Sequence, residues 1–210
     1  MTQSKPARGR PGYDVDTLLS VAVQVFNDRG YDGTSMEDLS KRLGISKSAI
    51  YHHVESKGAL LGLALDRALD GLTAVADETR ALDLPAVDRL EHMVRGSVVV
   101  LVDQLPYVTL LLRVRGNTDV ERRALARRRH IDDLVADLVK EAIGDGDVRP
   151  DVDAAVTSKL LFGLVNSLVE WYRPRRADDG SAIADVVCRV AFEGLRSRTV
   201  PRSAPRRTSK

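Results

Sequence analysis

The stretch from Ser35 to Lys57, SMEDLSKRLGISKSAIYHHVESK, constrains this chain more than any other. Ser35 and Asp38 have the spacing of a capping box, which opens a helix by satisfying two of its orphaned N–H groups. Met36, Leu39 and Leu43 then fall on one face of that helix. Gly44 stops it, because glycine enters the left-handed backbone region at no steric cost. Ile45 plugs the turn, Ser46 caps the next helix, and Lys47 to His53 forms it. Ile50 and Val54, four residues apart, face inward. Lys47, Ser48, Ala49, Tyr51, His52 and His53 are left outside, a set of small, hydroxyl-bearing and cationic residues suited to base edges and phosphates. Two short helices about a tight turn, with such an outer face, form the layout that pushes one helix into the major groove of DNA.

From Asp14 through Leu61 the chain resembles the TetR family of one-component transcription regulators. The resemblance rests on Ala22, Phe26, Gly30, Tyr31, Thr34, Leu39, Gly44, Ser46, Lys47, Tyr51, His52, Ser56, Lys57 and Leu60. It implies an all-α protein with an N-terminal three-helix helix-turn-helix domain and a C-terminal helical ligand-binding and dimerisation domain. It also implies a homodimer that binds a palindromic double-stranded operator and is released by a small-molecule inducer. Gly58-Ala59 departs from the pattern, since the family usually carries acidic residues there, and a favourable charge at the helix N-terminus is lost. The candidate DNA-binding residues are Ser35, Ser46, Lys47, Ser48, Ala49, Tyr51, His52 and Lys57. Tyr51 and Lys57 are assigned to phosphates, Lys47 and Ser48 to sequence preference. Arg8 and Arg10 join them, because Gly9-Arg10-Pro11 in a basic arm beside such a domain is placed to reach the minor groove.

The net charge of +2 hides a strong segregation. Residues 1–12 carry +3 and residues 196–210 carry +6, neither with an acid, so the body between them stands at −7. Attraction to DNA must come from locally placed bases rather than a uniformly basic domain. A single cysteine, Cys188, forbids an intrachain disulfide. The N-terminus lacks a signal-peptide core, and apolar runs such as residues 98–102 and 160–169 are too short to cross a bilayer. A cytoplasmic protein without membrane contact is expected.

Four segments follow: a flexible basic arm (1–12), the helix-turn-helix domain (13–57), a helical ligand-binding and dimerisation domain (58–195), and a disordered basic tail (196–210). Periodicity predicts a first helix from Asp14 to Arg29 and a long fourth helix from Ser56 to about Arg80. Pro85 opens a fifth helix to Asp103, and Pro106 separates it from the next segment. A capping box of Thr118 and Glu121 opens a seventh helix to about Ile143. An eighth is expected to run to Trp171, before Pro174, and a last one from Ile183 to Leu195.

No catalytic constellation and no metal-ligand spacing stands out, and no cofactor is called for. His52 and His53 point about 100° apart on a helix and cannot share a metal in the i, i+4 manner. The stretch LLLRVRGNTDVERRALARRRHIDDLV with the EWYRP ending is similar to TetR members that sense acyl-CoA intermediates, including regulators of phenylacetate and steroid breakdown. If such a thioester is the inducer, Tyr107, Leu111, Phe162, Asn166 and Trp171 are expected to line an acyl pocket, and Arg113, Arg115, Arg122 and Arg123 to hold CoA phosphates; Asn166 has a second reading, fixing helix register in a dimer. For the dense cluster of Arg122, Arg123, Arg127, Arg128 and Arg129, a solvated helix face paired with Glu121, Asp132 and Asp133 is the plainer account. The leading function is a ligand-responsive repressor. An architectural, sequence-tolerant DNA-binding protein and a helical enzyme acting on CoA thioesters are the alternatives.

Overall fold

A computed structural model describes residues 14–173 and 180–193. Among these the secondary structure is entirely helical. Helix α1 (Val15–Arg29) starts where the Asp14 carboxylate accepts from the Thr17 N–H at 2.7 Å, and ends at Gly30 with φ of 80°. It buries Leu18, Leu19, Ala22, Val23, Val25 and Phe26. Both halves of the Ser35/Asp38 capping box form at the start of α2 (Met36–Leu43), and Gly44 ends it at φ 68°. Helix α3 covers Lys47–Tyr51, two residues short of the expected end at His53. Its last turn tightens, with the His53 N–H bonded to the Ile50 carbonyl at i−3. Leu39, Ile50, Phe26 and Leu60 are fully buried and knit these helices together, with Phe26 edge-on to Tyr31 at 5.3 Å.

Helix α4 (Lys57–Ala81) is 25 residues long, about 38 Å at 1.5 Å per residue. It packs on α1 and lies against α5 (Ala86–Asp103) and α7 (Asp119–Gly144). Helix α6 (Leu105–Arg113) turns 104° away from α5 and packs on both α1 and α4. The break falls at Gln104, not Pro106. Pro106 instead occupies the first turn of α6, where a missing N–H costs nothing. The Thr118/Glu121 capping box forms at the start of α7. Helices α8 (Ala154–Asn166), α9 (Leu168–Trp171) and α10 (Ser181–Cys188) complete the body, followed by a π-helical turn, Arg189–Glu193. Helix α5 is central: α4, α7, α8 and α10 all lie against it.

The α4–α5 crossing depends on two notches. A Cβ at Gly96 would sit 2.5 Å from Val75 Cγ1, and one at Gly71 would sit 3.0 Å from Val100 Cγ1. Each glycine on one helix thus receives a valine from the other. Gly96→Ala is expected to cost about 1–3 kcal/mol by overpacking, lowering the melting temperature by several degrees. Gly144→Ala, where a Cβ meets nothing within 4 Å, serves as the control in the same thermal melt. An equal response from the two would mean that the crossing is not so tight.

The expected eighth helix breaks at Ser167, whose hydroxyl donates to the Leu164 carbonyl at 2.7 Å and competes with the helical ladder. The last helix starts earlier than expected, at Ser181, and its π-helical turn ends the described residues at Glu193. The basic arm with Arg8 and Arg10, Pro174, Leu195 and the basic tail lie outside the described residues. No single described helix is long and apolar enough to cross a membrane.

Candidate functional site

The outward face of the α2–α3 pair is built by its caps. Ser46 Oγ accepts from the Ala49 N–H at 3.2 Å and lies 2.9 Å from Ser48 Oγ, so the two hydroxyls are held together at the N-terminus of α3. Ser35 Oγ donates to Asp38 at 2.6 Å and serves the cap of α2. Lys47 Nζ reaches Glu37 at 3.0 Å, and Lys41 Nζ reaches the other oxygen of the same carboxylate at 3.1 Å. Those two ammonium groups hold the Glu37 carboxyl below its ordinary pKa. Tyr51, His52 and His53 are exposed, while Ile50 and Val54 are buried beneath them. An open row of Lys47, Ser48, Tyr51 and His52 can meet phosphates and base edges together.

Lys57 has a different setting from the one expected. Its Nζ donates to the carbonyls of Tyr31 at 2.8 Å and Thr34 at 2.7 Å, and lies 4.3 Å from the centre of the Tyr31 ring. Two of its three N–H donors therefore serve the fold, tying the start of α4 to the α1–α2 loop.

Helices α4 to α8 surround a narrow cleft with a cavity of about 30 Å³ at its centre. Its walls are mostly apolar: Leu72, Leu101, Val108, Leu111, Leu112, Ile131, Phe162 and Val165. Arg128 and Asp132 enter from α7, Asn166 from α8 and Ser97 from α5. The Ser97 hydroxyl is spent on the Met93 carbonyl at 2.8 Å. Burial pushes the half-buried Asp132 carboxyl up; Arg128 and Lys159 pull it down, and Asp133 pushes it up.

The two halves of the chain match two parts of one family. Residues 18–64 match the bacterial regulatory proteins of the tetR family, and residues 83–195 match the tetracyclin repressor-like C-terminal domain. The chain belongs to the TetR family. The HTH-type transcriptional repressor KstR2 of Mycolicibacterium smegmatis is 27% identical over 184 residues, 82% of this chain and 83% of its own. The crystal structure of SCO3833, a TetR regulator from Streptomyces coelicolor, superposes with a TM-score of 0.82 at 53% identity, covering 94% and 96% of the two chains. AibR in complex with isovaleryl coenzyme A and operator DNA superposes at 0.69 with 26% identity, over 84% and 97%. This TetR-family chain is therefore a DNA-binding transcription regulator and not an enzyme. Among its described residues no group of three or more His, Cys, Asp or Glu could hold a metal ion.

Of the residues expected around the ligand, Leu111, Phe162 and Asn166 line the cleft. Tyr107 does not: its ring lies 5.0 Å from the Arg67 guanidinium, which also pairs with Asp16 at 3.0 Å. Trp171 is 58% exposed on α9, edge-on to Tyr172. Arg113 is turned away, donating to the Asn27 carbonyl of α1 at 2.6 Å. Arg122 folds back onto the Gly116 carbonyl at 3.1 Å and pairs with Asp119. Arg115 and Arg123 are exposed. Sequence reasoning missed Arg128 and Asp132 as cleft residues. The signal was the inward stripe Ala124, Ile131, Val135 and Leu138 of α7, on which position 128 falls.

Proposed function

We propose that the protein is a ligand-responsive repressor. A homodimer holds an inverted-repeat operator with its two α3 helices and releases it when the acyl group of a CoA thioester enters the α4–α8 cleft. In this arrangement residues 13–57 form the DNA-binding unit, and Lys47, Ser48, Tyr51 and His52 make its contacts, with the third N–H of Lys57 offered to a phosphate.

The observation that carries the proposal is the placement of α6. Val108, Leu111 and Leu112 face the cleft, while the two ends of the same helix hold the last turns of α1. Asn27 Nδ2 donates to the Pro106 carbonyl at 2.8 Å, and Arg113 donates to the Asn27 carbonyl at 2.6 Å. The Asn27 Oδ1 atom is buried without a hydrogen-bond partner. A ligand that displaces Leu111 thereby moves α1, and α1 carries α2 and α3. Binding shifts the operator equilibrium only by its differential affinity for the two arrangements.

Two further features support the partners. Leu160, Val156 and Gly163 on α8 and Val186 and Val190 next along the α10 segment are exposed, and both segments lie on α5. A second copy would cover such a face. AibR, a structural relative above, was crystallised with isovaleryl coenzyme A and operator DNA. The cleft's apolar walls suit an acyl group that parts them on entry, leaving the CoA phosphates outside, where Arg115 and Arg123 are exposed.

Arg113→Ala tests the route. The ratio of operator Kd with and without saturating acyl-CoA is expected to shrink by about fivefold or more, a loss of roughly 1 kcal/mol of coupling. Ligand affinity of the free protein, read by calorimetry, is expected to change far less. Coupling as strong as in the wild type would show that α6 does not transmit through Asn27.

A further inference from the structure

The polar corner of the cleft has an unusual charge balance. Arg128 and Asp132 stand one turn apart on α7, and Asn166 comes from α8; with the Ser97 hydroxyl spent on its own helix, these three are the cleft's polar side chains. Beyond them, Lys159 and Asp133 again contribute one charge of each sign. The α7 turn that presents both residues is fixed from behind: Arg127 bonds Asp66 at 2.8 Å and Asp70 at 2.6 Å on α4.

We propose that Asp132 selects the class of ligand: the cleft takes an apolar body ending in an uncharged carbonyl and shuts out the matching free carboxylate. This rests on the cleft being the inducer site. A carboxylate entering an apolar cleft loses its hydration and needs a cation to itself. No ion pair joins Arg128 to Asp132, but the Asp132 carboxylate one turn away offsets the positive charge that an acid would need. The incoming carboxylate would also face Asp132 as a like charge in a half-buried setting, so one of the two would have to take up a proton at neutral pH. A neutral carbonyl needs neither change. It accepts one hydrogen bond from the Arg128 guanidinium or the Asn166 amide, while Asp132 keeps Arg128 electrically balanced. A thioester, ester, amide or ketone meets this requirement. The hydrolysed acid of the same body does not, so the regulator would respond to an activated acyl compound and not to its free acid.

The test uses matched sets with one body and three ends: octanoic acid, methyl octanoate and octanamide, then phenylacetic acid with its methyl ester and amide. Binding to the full-length protein is measured by calorimetry near neutral pH, and operator release by mobility shift. In the wild type the ester and amide of at least one body are expected to bind about tenfold or more tighter than the acid. Asp132→Asn keeps the shape and removes the charge, leaving Arg128 unanswered. In that variant the acid is expected to gain about tenfold and the gap to close. Asp132→Ser is expected to give the same shift if the asparagine variant folds poorly. An acid that binds the wild type as well as its ester overturns the proposal, as does a gap that survives both substitutions. Failure of every ester and amide to bind overturns it too. The inducer role is separable: an acid that binds and releases operator as well as its ester would leave that role standing and remove Asp132 from it. An ester that binds in the expected order without releasing operator would do the reverse.

Discussion

Replacing Lys47 and Tyr51 together with alanine is expected to weaken operator binding by about two orders of magnitude, since each lost contact of this kind is worth roughly 1–3 kcal/mol. Both side chains stand on the outside of α3, and neither supports the core. Lys47 is tied only to the exposed Glu37 carboxylate at 3.0 Å, a pair worth at most about 1 kcal/mol. The melting temperature is therefore expected to stay nearly unchanged. Loss of the Lys47 ammonium should lower the slope of log affinity against log salt by up to about 0.9, while loss of the neutral Tyr51 should leave it unchanged. Lys57 is a poorer probe, because Lys57→Ala also removes the bonds to the Tyr31 and Thr34 carbonyls and loosens the start of α4. A Lys47 and Tyr51 double variant that binds operator with wild-type affinity and salt dependence would place the DNA contact elsewhere.

Leu160→Glu with Val186→Glu is expected to split the dimer and cost about a hundredfold or more in operator affinity. Two linked half-site contacts gain affinity because the second is intramolecular, and a monomer forfeits that gain without losing any contact of its own. Leu160 is 67% exposed and Val186 52% exposed, so the carboxylates meet solvent in a single chain and only a covering partner would bury them. Sedimentation should show the change from dimer to monomer, and melting at low concentration should show a folded chain. Gly163, exposed beside Leu160 with nothing within 4 Å of a built Cβ, offers a second probe: Gly163→Leu is expected to push the partner away. A double variant that stays dimeric would move the interface off α8 and α10.

Several helix boundaries were legible because each has a local chemical cause. Ser35 with Asp38, Gly44, Ser46, and Thr118 with Glu121 all act within three or four residues, and all form as their spacing predicts. The apolar stripe of α1 and the length of α4 follow from the same periodicity. What was not legible depends on distant partners. Nothing near Gly96 in the chain announces Val75, and nothing near Lys57 announces two carbonyls more than 20 residues upstream. The same limit governed the arginines. Arg113 and Arg122 were expected as ligand cations on the likeness to acyl-CoA sensors, yet Arg113 is held by α1 and Arg122 by its own loop. Arg128, in the middle of the run from Arg127 to Arg129, is the one that reaches the cleft. A mixed polar helix shows which positions fall on its inward stripe only when the helix phase is followed through its charged residues as well.

Recovering the DNA that the full-length protein retains from a random pool tests the central claim most directly. A dimeric repressor should enrich one inverted repeat, with half-site centres about 10 bp apart or a multiple of that, and acyl-CoA added to the retained complexes should release it. A pool that remains random after repeated rounds, bound about equally well at every sequence, would contradict a sequence-specific repressor and favour an architectural DNA-binding protein.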